Sequence, residues 1–305
     1  MFGSLARDEV TPGSDLDWTL LVDGQCDTRH LEVTQAISAL VTKDNKGPGP
    51  TALFGTMAFS HELVHLIGGE AGTNRNTTRR ILLLLESRGM TDDDRVRDRV
   101  LRNILKRYLQ EDLGYHELHE WKIRVPRFLL NDIVRFWRTM TVDYAAKRRD
   151  RAGVGWAIRN FKLRLSRKLI FTAGLAMCMS CELCPPQSLT DTKFDEPADF
   201  YAELESYLVG FSNKTPLQVL ADFALQFNAI EASTMIFTAY DQFLMVLSDA
   251  EKRARLEKLG VDDAAGDSVF HESRKIGTTF QEGLTKLFFD TNSKLTKATQ
   301  RYGVF

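Results

Sequence analysis

Hydrophobic and polar positions divide this chain into two unequal parts. Near the start, Leu16-Asp17-Trp18-Thr19-Leu20-Leu21-Val22 is a short, mostly apolar run closed by Asp23-Gly24, and it predicts a strand. The preceding Thr11-Pro12-Gly13-Ser14 predicts a turn. From His30 to Thr42, Leu31, Val33, Ile37, Leu40 and Val41 recur at helical spacing. Lys46 to Pro50 reads as a loop, Thr51 to Phe59 as an extended segment, and Gly68-Gly69 ends whatever Ser60 begins.

Beyond Asn76 the pattern is almost wholly helical. Helices are expected over Thr77 to Arg88, Asp92 to Leu113, Arg127 to Arg149, Gly155 to Met179 and Ala198 to Gly210. Two more are expected over Pro216 to Leu259, broken once, and Asp267 to Tyr302. Trp121 to Val125 reads as a short strand stopped by Pro126, and Thr215-Pro216 is a strong helix start. No internal repeat shows. The fold class that follows is α+β, a small mixed α/β domain over 1–125 followed by a larger helical domain over 126–305.

Charge changes this picture more than composition does. With 40 Lys and Arg against 41 Asp and Glu, the net charge of -1 excludes a uniformly basic nucleic-acid coat. From Arg75 to Lys168, however, 24 basic residues stand against 12 acidic ones. A basic middle between acidic flanks suits a phosphate-binding site, or else a set of solvated helix faces paired with the acidic ends. Four cysteines exclude a secreted disulfide scaffold. The longest apolar run, Leu169 to Cys181, is too short to span a bilayer, and no leader peptide is evident, so a cytoplasmic protein without membrane attachment is expected.

Candidate chemistry concentrates at the amino terminus. Gly3-Ser4 is followed, after ten residues, by Asp15-Leu16-Asp17. Residues two apart on a strand face one side, so Asp15 and Asp17 present two carboxylates to one point. Such a pair repels itself unless a cation intervenes, and oxygen-only ligands suit magnesium. A Gly-Ser opening a helix offers N–H groups and a hydroxyl to phosphate.

The stretch from Phe2-Gly3-Ser4-Leu5-Ala6-Arg7 through Thr11-Pro12-Gly13-Ser14-Asp15-Leu16-Asp17 resembles the nucleotidyltransferase superfamily with the DNA-polymerase-β-like fold. Its wording is most similar to the bacterial branch of glutamine-synthetase adenylyltransferase and PII uridylyltransferase. The resemblance covers about 20 residues of the chain. It implies that Gly3 and Ser4 hold a triphosphate and that Asp15 and Asp17 bind two Mg2+ ions. A hydroxyl would then attack the α-phosphate and release pyrophosphate. ATP is the expected donor and a protein side chain the expected acceptor. An RNA 3′ end, as in growth-inhibiting transferases, is the alternative acceptor, and a nucleotide sensor without turnover is the alternative to an enzyme. Family members carry a core strand before the Gly-Ser, where this chain has only Met1-Phe2, so a shortened domain is expected. They also supply a third carboxylate from a later strand, for which Glu62 is the candidate and Glu70 the runner-up.

Other features compete or contribute. His61-Glu62-Leu63-Val64-His65 fits H-E-x-x-H, a zinc-peptidase pattern in which Glu86 could be a third ligand. Cys178, Cys181 and Cys184 recur every three residues, as zinc ligands or, with Met177 and Met179, as a buried face. Asn131, Arg135 and Arg138 share one helix face, and Arg159 and Lys162 share another. Arg135, Arg138 and Lys162 are the cations expected to hold the nucleotide's phosphates. The alternative for each is a solvated or salt-bridged surface.

Overall fold

The computed structural model describes residues 1–49, 53–90, 94–113 and 123–304. Gly3–Ala6 forms α1, a single turn too short to carry a macrodipole. The strand pattern after the Pro12-Gly13 turn yields β1 (Thr19–Val22), shorter than its apolar run; Asp17 instead makes an isolated antiparallel bridge with Phe2. β1 runs parallel to β2 (Thr56–Phe59), with Thr19 opposite Thr56 and Val22 opposite Phe59. Parallel strands cannot be joined by a tight turn, and α2 (Arg29–Asp44) makes the crossover. The helical spacing of α2 predicts a buried stripe, yet Leu31, Val33 and Leu40 are exposed. A sheet of two strands offers α2 too narrow a surface to cover that stripe.

Helices build the rest. After α3 (Ser60–His65), α4 (Asn74–Glu86) starts at Thr73, whose hydroxyl accepts from the Asn76 N–H at 3.2 Å. Every residue of α4 from Asn76 to Glu86 is buried. Around it pack α5 (Arg95–Leu113), α6 (Arg127–Asp150) and, after α7 (Trp156–Lys162), α8 (Lys168–Leu183). Gly174 permits this: a methyl there would stand 2.8 Å from Leu85 of α4 and 3.0 Å from Ile133 of α6. The long apolar run is thus a core helix, and no described helix is long and apolar enough to cross a membrane.

The remaining helices are α9 (Gln187–Thr190), α10 (Pro197–Ser212), α11 (Pro216–Gln226), α12 (Ile230–Ser248), α13 (Ala250–Lys258), α14 (Ser268–Thr285) and α15 (Ser293–Ala298). Thr215 and Gln218 form a reciprocal capping box on α11, as Thr215-Pro216 predicts. The stretch expected to break once breaks twice, at Asn228, whose φ is +51°, and at Asp249, which caps α13. One hydrophobic cluster runs from Phe2 and Leu63 through α4, α5 and α8 to Phe280 and Leu287, without a gap at 125 and 126. Of the predicted elements, Pro50 to Ala52, Asp92, Asp93, Trp121 and Lys122 lie outside the described residues, and Ile123 to Val125 form no strand.

Candidate active site

The site is assembled from a turn, a bridge and a widened helix. Thr11-Pro12-Gly13-Ser14 closes with the Ser14 N–H donating to the Thr11 carbonyl at 2.9 Å. Proline second and a glycine at φ +81° third are what a type II turn requires. The chain then passes through Asp15 into the Phe2–Asp17 bridge, where the Phe2 N–H donates to the Asp17 carbonyl at 2.9 Å. Gly3 sits directly against Asp17: its φ is +66°, and a methyl there would meet Asp17 Oδ2 at 2.8 Å. Only glycine combines that backbone conformation with that approach.

Opposite, Leu163–Arg167 is a π-helical turn joining α7 to α8. Five residues per hydrogen-bonded step, rather than four, bring Lys162 and Arg167 onto one face. A cavity of about 100 Å³ lies between. Gly3, Ser4, Asp15, Asp17, Lys162, Ser166 and Arg167 line it, with Arg7, Glu9, Thr11 and Ser14. Phe243, Leu244 and Leu247 of α12 form an apolar wall.

Asp17 and Lys162 are poorly hydrated in this cavity. Burial pushes the Asp17 carboxyl up to about 6, with Glu86 and Asp15 adding to the rise and Arg167 and Lys162 opposing it. Burial likewise draws Lys162 down to about 8, helped by Arg253 and Arg167. Asp15 pairs with Lys46, Nζ to Oδ1 at 2.8 Å. Behind Gly3-Ser4, Arg7 lies between two carboxylates, bonding Glu86 through Nη1 and Glu9 through Nε at 2.8 Å. Burial works against the Arg7 charge, but Glu86 and Glu9 outweigh it and keep the guanidinium charged. Burial pushes Glu9 up despite Arg7, and the Tyr240 hydroxyl donates to Glu9 Oε2 at 2.9 Å.

The expected residues separate into two groups. Gly3, Ser4, Asp15, Asp17 and Lys162 meet at the cavity. Glu62 does not: it lies on α3, near Arg79, and is not among the lining residues. Arg135 and Arg138 line a different, larger cavity of about 520 Å³ with Asn74 and Asn131, and Arg135 donates to the Gly72 carbonyl and to Asn74 Oδ1 at 3.1 Å. Arg159 shares the regular helix α7 with Lys162, but it donates to the Val154 carbonyl at 2.5 Å and is not among the residues lining the cavity.

The zinc patterns do not assemble. His61 and His65 lie 5.0 Å apart between ring centroids with their planes tilted, but Glu86 is buried against Arg7. Cys178 and Cys181 are fully buried, and burial pushes the Cys181 thiol up to about 12. Among the described residues, no group of three or more His, Cys, Asp or Glu side chains is placed to hold a metal ion.

Arg7, Glu9, Ser166 and Arg167 also line the cavity and are not among the residues expected from the sequence. Arg7 and Glu9 had a signal in adjacency to Gly3-Ser4; Tyr240 and Arg253 had none, being more than 200 positions away. No protein-family description, no curated protein and no solved structure matches this chain.

Proposed function

We propose that this protein is a nucleotidyltransferase, moving a nucleoside monophosphate from a triphosphate, with ATP the expected donor, onto a protein hydroxyl. One observation carries the reading: Asp15 and Asp17 share a small cavity with Gly3, Ser4, Lys162 and Arg167. With Glu9 and Arg7 also in the lining, three carboxylates and three cations surround one space, which suits a polyphosphate and its counter-ions.

The residues fit magnesium in the form that ion prefers. Mg2+ is commonly held by one or two carboxylates, with waters and substrate phosphates completing its shell, so a third protein carboxylate is not required. Asp15 and Asp17 would hold it, and the buried Asp17 carboxylate gains most from a neighbouring positive charge. Bound there, the ion supplies Lewis-acid stabilisation of charge developing on the phosphate.

The chain's own groups do the remainder. Lys162 and Arg167 orient the phosphate oxygens and offset their charge, Arg167 as a fork and Lys162 as a point charge. Gly3 lets the backbone approach Asp17, and Ser4 places a hydroxyl at the cavity. The α12 wall limits water, which strengthens each charged contact. At about 100 Å³ the cavity suits a phosphate tail, against roughly 300 Å³ or more for a whole small-molecule site, so base and ribose belong at its mouth.

Incubation with each α-labelled NTP, Mg2+ and cell lysate tests this. A labelled protein band is expected, falling about 1,000-fold in Asp15→Ala and Asp17→Ala. A labelled RNA band would move the acceptor, and label undiminished in both variants would remove the mechanism.

A further inference from the structure

We infer that Arg253, on α13, is a positioning residue for Asp15 and Asp17, acting through the Pro12-Gly13 turn; this rests on the transferase reading above. Arg253 donates from Nη1 to the Pro12 carbonyl at 3.1 Å and to Thr11 Oγ1 at 3.3 Å. Its Nη2 donates to the Gly13 carbonyl at 2.6 Å, and Nε to Glu257 Oε1 at 3.1 Å. The guanidinium is buried, yet it does not line the cavity.

Geometry makes this contact a determinant of where the carboxylates stand. Within the turn, the Ser14 N–H satisfies the Thr11 carbonyl, and the Ser14 hydroxyl accepts from the Thr11 N–H at 3.0 Å. The next two carbonyls, of Pro12 and Gly13, are both taken by Arg253. Asp15 follows two residues after Gly13, and Asp17 two after that. Gly13 also lets the fork close in, since a methyl there would lie 3.3 Å from Arg253 Cζ. A planar fork gripping successive carbonyls fixes both position and orientation of a turn, as a single ammonium cannot. The amino-terminal motif and a helix 240 positions away thereby share one rigid element.

Two readouts on the full chain test it. Amide hydrogen exchange over residues 11–17 is expected to quicken in Arg253→Ala while α4 stays protected. In AMP transfer from labelled ATP with Mg2+, kcat is expected to fall about 100-fold with KM for ATP within about twofold, because Lys162 and Arg167 keep their places on the π turn side of the cavity. Arg253→Lys keeps the charge but not the fork, and its kcat loss is expected near 10-fold; it also carries the test should Arg253→Ala not fold. Unchanged exchange over 11–17, or a lowered melting temperature with kcat per folded molecule unchanged, overturns the inference. If the native chain transfers nothing from any NTP, the transferase reading fails, and exchange then decides the clamp by itself.

Discussion

Helix α4 carries two buried ionic networks, about 9 Å apart along its axis, and they are built to opposite standards. At Arg80 everything is satisfied. Its Nε donates to the Tyr108 hydroxyl at 2.7 Å, Nη1 to the Leu63 carbonyl at 3.1 Å, and Nη2 to Asp132 Oδ2 at 2.9 Å. Tyr108 closes the ring by donating to Asp132 at 2.5 Å. At Glu86 the accounts stay open: Arg7 bonds one oxygen, while Oε1 has no hydrogen-bond partner, with Arg167 at 3.8 Å. Glu9 Oε1 is likewise buried without a hydrogen bond.

A closed network in low dielectric locks a single packing, while a half-satisfied one costs stability and persists where its charge has another use. The first joins α4, α5 and α6. The second joins α4, through Glu86, to Arg7 and Arg167, which line the cavity between the amino-terminal motif and the π turn.

The contrast can be broken most directly at Arg80. Arg80→Met leaves Asp132 buried without its cation and is expected to cost about 3–5 kcal/mol in urea denaturation. A cost below about 1 kcal/mol would show that the closed network locks nothing.

At the cavity the sign reverses. Asp17 has a folded-state pKa of about 6, above the ordinary 3.8, so its contribution to stability is full below pH 4 and lost as pH rises through 6. Asp17→Asn is therefore expected to gain about 2 kcal/mol at pH 7, and nothing at pH 4, while transfer activity disappears. Urea midpoints at the two pH values measure it; a variant less stable than the native chain at pH 7 would refute the desolvation argument.

The smallest effects come from a matched pair. Tyr108 touches two charged partners and Tyr240 one, so Tyr108→Phe is expected to cost about 2 kcal/mol and Tyr240→Phe about 1 kcal/mol. Equal losses in thermal unfolding would erase the distinction.

Particular residues show how far local pattern reaches. Helices α4 and α6 lie within a few residues of their predicted bounds, because apolar spacing and the proline at 126 act locally. Gly3, Ser4, Asp15 and Asp17 were legible as a Gly-Ser and a two-residue carboxylate spacing, whereas the Phe2–Asp17 bridge that brings Gly3 against Asp17 was not. Lys162 was legible only as a cation on a basic helix; the π turn that pairs it with Arg167 is invisible to a 3.6-residue period. Arg135 and Arg138 carried an equal signal and face another cavity. Glu62 matched a spacing, and Leu31, Val33 and Leu40 a core stripe, but neither pattern says what lies opposite.

The sequence by itself determined most of the helices, the turn at Pro12-Gly13 and the two-residue spacing of Asp15 and Asp17, because each depends on neighbours within a few residues. Tertiary structure alone decided which cations face those aspartates, that Glu86 and Glu9 share Arg7, and that Arg253 grips the turn. Those choices rest on contacts between segments up to 240 positions apart, and burial sets their strength. Neither the approach of distant segments nor the water they exclude is encoded in a local pattern of residue types.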